Sequence, residues 1–145
     1  MIICRIRFRW AIKKILVPTD FTVEEDVERD QAWKLAKSFK ASLRFLYVLE
    51  LFGHEFRLTD EMFASVLKKL QARKKREHED VEITEDVTKA VHSYEGIIDY
   101  AETHKFDLIV MSTTVRKLAR FFLGSTTEKV IAHSRVPVFA IPREQ

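Results

Sequence analysis

Gly124, Ser125 and Thr126 are the residues of this chain whose types and spacing best suit chemistry, and Asp20 is the acid best placed to join them. Gly124 admits a tight backbone, and a helix opening at Ser125 would present unpaired N–H groups and two hydroxyls to an anion such as a phosphate. Glu128 follows three residues after Ser125, so the same stretch also reads as an S-x-x-E capping box, which needs no ligand. Arg116, Lys117 and Arg120 precede it and offer charge either to phosphates or to water. Asp20 follows Pro18 and Thr19 at the end of an apolar run. It either faces a ligand or ends the strand and steadies the turn.

Other chemistries find less to build on. The chain has 5 histidines, scattered at His54, His78, His92, His104 and His133, and 1 cysteine, Cys4. Neither spacing fits a tetrahedral metal site, so no metal is expected. No internal disulfide can form, and a reducing compartment fits. A P-loop of the form G-x4-G-K-[ST] is absent. His133 and Ser134 are adjacent in sequence, a poor start for a nucleophile–base pair. The chain therefore reads as no enzyme.

The elements that must position Asp20 and Ser125 alternate along the chain. Short apolar runs at residues 15–18, 43–49, 108–111 and 138–141 suit parallel strands covered on both faces. Residues 81–87 alternate apolar and polar, with Glu85 the exception, and suit an edge strand. Helical patterns lie between them. One follows a capping box at Thr22 and Glu25, with Val27, Ala32, Leu35, Ala36 and Phe39 inward. A second is capped by Thr59, and a third runs over residues 94–105. Strict alternation of strand and helix predicts an α/β fold with helices on both faces of a parallel sheet. In such sheets ligands bind beyond the carboxyl ends of the strands, where the strand order reverses.

Composition sets the remaining bounds. With 145 residues, 46% of them hydrophobic, the chain fits one domain. No apolar run nears the roughly 18 residues of a membrane span, and a cytoplasmic location is expected. The net charge of +3 is concentrated at the start, where Arg5, Arg7, Arg9, Lys13 and Lys14 precede the first acid. The remainder is slightly acidic, so nucleic-acid binding is not supported. Within the basic start, Ile6, Phe8 and Trp10 alternate with the arginines, a strand-like pattern with one wet face.

The segments KKILVPTDFT, FLYVLE, IIDYAETHKFDLIVMST and FFLGSTTEKVIAHSRVPVFAIP together make the chain resemble a universal stress protein from about Lys13 to Ile141. The resemblance implies one doubly wound domain over residues 13–145, with a five-stranded parallel sheet of order 3-2-1-4-5 and residues 1–12 as an extra N-terminal arm. It implies a homodimer through the last strand, an unknown protein partner, and ATP or AMP as ligand, with slow ATP hydrolysis the most it would catalyse. It places Asp20 near adenine and ribose beside Pro18 and Thr19, the backbone of Val48 on the adenine edge, and Gly124, Ser125 and Thr126 on the phosphates. The nucleotide-binding branch carries a G-x2-G-x9-G-[ST] loop, of which only the final Gly-Ser stands here. Counting back puts Thr114 and Met111 at the earlier glycine positions; with Met111 ending the strand, Ser112 and Val115 stand there instead. A Cβ at such positions obstructs close approach to a triphosphate. Two readings follow: an adenine-nucleotide module with weakened binding, or a ligand-free dimeric scaffold of the stress response.

Overall fold

The computed structural model describes residues 2–3, 11–19, 25–51, 60–72, 80–115 and 125–144. Ten elements follow in chain order: β1 (Ile2–Ile3), β2 (Lys14–Thr19), α1 (Glu25–Phe39), β3 (Ser42–Glu50), α2 (Asp60–Ala72), β4 (Ile83–Ala90), α3 (Ser93–Thr103), β5 (Leu108–Val115), α4 (Ser125–His133) and β6 (Val138–Glu144). The sheet runs β1-β6-β5-β2-β3-β4. Its five longer strands are parallel and, counted among themselves, have the order 3-2-1-4-5, as the resemblance implies. The two-residue β1 adds antiparallel to the outer side of β6, Ile2 opposite Phe139 and Ile3 opposite Val138. The alternating residues 5–10, the caps at Thr22 and Thr59, and the cations at 116, 117 and 120 lie outside the described residues.

The apolar runs become strands because each buries both faces. Ile15, Val17, Leu43, Phe45, Leu108 and Val110 face α1, where Ala32 and Ala36 bring the helix close. Leu16, Leu46, Ile109 and Met111 face the other side, against Ile97, Tyr100 and Ala101 of α3 and Val130 of α4. At about 25 cal/mol per Å² of apolar surface, this two-sided burial is the main driving force for the fold. β4 is the outer strand opposite β6, as its pattern predicts, although it starts at Ile83 and leaves the buried Val81 in the approach.

One expectation for α1 does not hold. Phe39 is 43% exposed instead of facing inward. The buried stripe runs through Glu28, Ala32 and Ala36, four residues apart, and the helix ends before its next member. Lys40 then adopts a left-handed φ of 54°, with its N–H on the Lys37 carbonyl and the Ala41 N–H on the Ala36 carbonyl. α3 ends the same way at Lys105, φ 56°, with Phe106 N–H on the Ala101 carbonyl. Both are Schellman closures with lysine where glycine is commoner. Each returns the chain directly into a strand.

The start of β2 is fixed against β5 by Asp107, whose carboxylate accepts the N–H groups of Lys13 at 2.9 Å and Lys14 at 3.0 Å. Asp107 N–H in turn donates to the Lys14 carbonyl at 2.9 Å. These bonds set the register of the two strands that flank the reversal of strand order.

Candidate functional site at the strand reversal

β2 and β5 pair only at their beginnings, Ile15 opposite Leu108 and Leu16 opposite Ile109. The neighbouring ladders continue much further: β2 with β3 to Thr19 opposite Tyr47, and β5 with β6 to Val115 opposite Glu144. The sheet therefore splits at the carboxyl ends of its two central strands, opening a crevice at the strand reversal.

Backbone direction identifies what lines the split. Ile109 donates its N–H to the Pro137 carbonyl, on the β6 side. Since N–H directions alternate along a strand, Ser112 turns its N–H and carbonyl the other way, into the gap β2 has left. Both groups have partners from the protein itself. Glu28 of α1, only 4% exposed, accepts the Ser112 N–H at 2.9 Å. Thr127, in the first turn of α4 and also buried, donates its hydroxyl to the Ser112 carbonyl at 3.0 Å. Helices on opposite faces of the sheet thus reach the same residue, and α4 is anchored with its N-terminal turn at the crevice.

Against that geometry the expected site residues divide. Thr19 is buried and Pro18 half-buried at the end of β2; Asp20 lies just outside the described residues. Ser112 is half-buried on the crevice wall. Ser125 is exposed as the first residue of α4, Thr126 is half-buried beside it, and Gly124 lies outside the described residues. Thr114 is paired with Arg143 in β5, and its side chain is outside the description. Met111 is buried among Val130, Val138 and Ile97, so its side chain serves the core. Val48 packs its side chain toward α3, leaving its backbone at the end of β3. Glu28 and Thr127 are the residues that sequence reasoning misses. For Glu28 the available signal is its place four residues before Ala32 and eight before Ala36.

A second anchor joins the last residue of β3 to the first residue of α3. Glu50 accepts both the hydroxyl and the N–H of Ser93, the latter at 2.8 Å. The Ser93 hydroxyl first and then its N–H hold the Glu50 carboxyl below its ordinary value. A carboxylate thereby faces the N-terminal turn of α3, where the helix dipole favours it. Ser134 is occupied in its own turn, donating to the Val136 carbonyl at 2.9 Å and accepting the Val136 N–H at 3.0 Å. It is not set up as a nucleophile for His133. Among the described residues no group of three or more acids, histidines or cysteines could hold a metal ion. No helix among them is long and apolar enough to cross a membrane.

A separate groove of about 310 Å³ lies along α3 and β4, lined by Thr88, Asp99, Tyr100 and His104 among others. It is lined from α3 and from β4, the outer strand, and Tyr100 in its lining belongs to a hydrogen-bond network. Arg44 donates to the Tyr100 hydroxyl at 3.0 Å and to the Thr84 hydroxyl at 2.9 Å, and Tyr100 donates to Asp86. Burial first, and then the Asp86 carboxylate, push the Tyr100 phenol up to about 12, with Arg44 working against them. The native state thus favours the neutral phenol, whose contribution to stability is complete below pH 10.0 and is lost as pH rises toward about 12. A difference titration of phenolate absorbance, native protein minus the Tyr100→Phe variant, should show a midpoint near 12. A midpoint at the ordinary value of 10.0 would show that the network does not form.

Comparison with known proteins bears on the fold that carries this crevice. Residues 11–142 match the model of the universal stress protein family. The universal stress protein MJ0531 of Methanocaldococcus jannaschii is 31% identical over 141 residues, covering 90% of this chain and 82% of that protein. Among solved structures, the universal stress protein UspA from Lactobacillus plantarum aligns with a TM-score of 0.68 at 24% identity, over 90% of this chain and 98% of that one. A universal stress protein solved in complex with cAMP aligns with a TM-score of 0.66 at 18% identity, over 91% of this chain and 98% of that one.

Proposed function

This chain belongs to the universal stress protein family, and from that premise we propose that it is a non-catalytic regulatory or protective protein whose crevice takes an adenine nucleoside or nucleotide. The observation that carries the reading is the split between β2 and β5 beyond Leu16 and Ile109, with the first turn of α4 held at its edge through Thr127. A crevice at a strand reversal with a helix N-terminus beside it suits a ligand that is flat at one end and polar at the other. The neighbour described as a cAMP complex supports the ligand class. Asp20, one residue beyond the described end of β2, is the acid this reading assigns to the ribose, and the Val48 backbone the group it assigns to the adenine edge. Gly124, Ser125 and Thr126 take the phosphate side, and ATP or AMP are the nucleotides to test.

The same reading includes a homodimer in the cytoplasm. Among the described residues Ile2 and Ile3 pair with Phe139 and Val138 on the outer side of β6, and this reading has a second copy add to the sheet along the rest of that strand. One preparation tests both parts: nucleotide released on heat denaturation or a micromolar titration with adenine ligands, and a dimeric mass by light scattering. A blank in both ligand assays would refute the nucleotide reading. A monomeric mass at micromolar concentration would refute the dimer and favour a monomeric module.

A further inference from the structure

β4 is paired with β3 along its whole length, and no strand lies beyond it among the described residues. Leu43 and Leu51 donate their N–H groups to the carbonyls of Glu82 and Ala90. Even-numbered residues of this stretch therefore turn their main chain toward β3, and odd-numbered ones turn theirs outward. At Val87 the outward N–H is capped, since Asp86 Oδ1 accepts it at 2.8 Å. At Lys89 the N–H and the carbonyl both face outward, with no partner among the described residues.

Beside these groups runs the groove of about 310 Å³, whose lining includes Lys89, Val91, Glu95 and Asp99. Glu95 and Asp99 are exposed and one helical turn apart, so they share the groove side of α3. Glu95 accepts the hydroxyl of its neighbour Tyr94 at 2.9 Å, and Asp99 has no partner among the described residues. The Lys89 ammonium does not offset them. It lies over the Phe63 ring of α2, 5.4 Å from the centroid, and Phe63 packs with Val87 on the face opposite α3. Val91 adds an apolar contact, 54% exposed. Open main-chain groups beside unneutralised carboxylates suit an added strand with basic side chains at alternate positions. A second copy fits less well. Two β4 edges paired antiparallel about a two-fold axis set α3 beside α3, and the acids would meet their own duplicates.

We propose that the outer edge of β4 is a docking surface for an extended, basic segment of a partner protein, which adds a strand at Lys89 and lays a lysine or arginine against Glu95 and Asp99. β4 lies beyond β3 from the split between β2 and β5, so the proposal stands whether or not the crevice takes a nucleotide.

The test is fluorescence anisotropy of two labelled, end-blocked heptapeptides with the full chain, one alternating lysine with valine and one alternating glutamate with valine. Amide exchange at Lys89 is followed in parallel. The lysine peptide should bind and slow exchange of the Lys89 N–H, and the glutamate peptide should do neither. The double variant Glu95→Gln with Asp99→Asn should lose affinity on the order of fivefold, the scale of two exposed ion pairs. Lys89→Pro should lose more, although it removes a positive charge, because proline lacks the outward N–H and leaves the β3 ladder intact. Equal binding of the two peptides, or none of the lysine peptide, overturns the proposal even if no variant folds. So does binding that leaves the Lys89 amide as fast as before, which marks attraction to acids without strand addition. Full affinity in either folded variant overturns it as well. Self-association of the native chain that Lys89→Pro abolishes would assign the edge to a second copy and overturn the basic partner.

Discussion

Replacing Arg29 by alanine should lower the stability of this protein by about 3–5 kcal/mol, the usual result of stripping one partner from a buried ion pair. Arg29 lies over the ring of Phe45, 3.8 Å from its centroid, and reaches Glu85 at 3.6 Å. The Glu85 side chain is only 2% exposed. Phe45 and Glu85 stand opposite each other in the β3–β4 ladder, so one guanidinium covers an aromatic face and a carboxylate on adjacent strands. Without it the carboxylate stays buried and loses this cationic partner. The melting midpoint should fall by roughly 10 °C for a chain of this size. The double replacement Arg29→Met with Glu85→Leu should recover most of the loss, because apolar residues of similar volume often match or exceed a buried pair in stability. Urea unfolding of the three proteins measures both quantities. A loss below about 1 kcal/mol for Arg29→Ala would class the pair with ordinary surface salt bridges and show that Glu85 does not depend on the guanidinium.

That pair also explains the one residue that breaks the alternation of β4. Read alone, Glu85 is a polar residue on the apolar phase of a strand, and nothing within β4 says whether it is solvated or paired. Its partner sits in α1, 56 positions earlier by number, and only the stacking of α1 across β3 brings them together. Strands are legible for the opposite reason. Residues 15–18, 43–49, 108–111 and 138–141 carry their signal locally, since a parallel strand covered on both faces must be apolar at successive positions. The strand order comes from the family resemblance, because periodicity gives each strand's faces and leaves its neighbours open.

The candidate site is legible in its place and less so in its chemistry. The reversal rule puts Ser125 and the end of β2 at one crevice, and Thr127 holds α4 there. The two glycine-poor alignments both point at β5, at Met111 or Ser112, but the consequence differs from a mere Cβ obstruction. Met111 turns into the core, while Ser112 has its main-chain groups occupied by Glu28 and Thr127. A glutamate in a charged helix reads as solvent-facing by its type. Its carboxylate accepts an N–H 84 residues away that is left open because β2 and β5 part. Such a role is written in tertiary geometry, and the four-residue spacing to Ala32 is its sole trace in the sequence.

Gly96 provides the other large effect, and its mechanism is space. It lies in the first turns of α3, with its N–H on the His92 carbonyl at 3.1 Å. A Cβ built there would come within 2.7 Å of Val48 Cγ1 and 2.8 Å of Ala90 Cβ. Real carbons do not approach so closely, and neither neighbour can yield easily: valine is stiff at χ1, and the alanine carbon is fixed to the β4 backbone. In an exposed helix, glycine to alanine would gain about 0.8–1 kcal/mol. Here Gly96→Ala should instead cost about 1–3 kcal/mol, because overpacking outweighs propensity. Adding Val48→Ala should restore part of the loss, with a coupling of about 0.5–3 kcal/mol in the double-mutant cycle, as expected for residues in contact. Melting curves of the four proteins give the answer, and a Gly96→Ala variant as stable as the original would show that α3 has room to move away from β3. The effect should also reach the crevice. Val48 lies near the end of β3, so pressure on its side chain displaces the backbone assigned to the adenine edge. Gly96→Ala should therefore weaken adenosine binding, and the added Val48→Ala change should relieve it, although Gly96 itself faces the sheet and not the ligand.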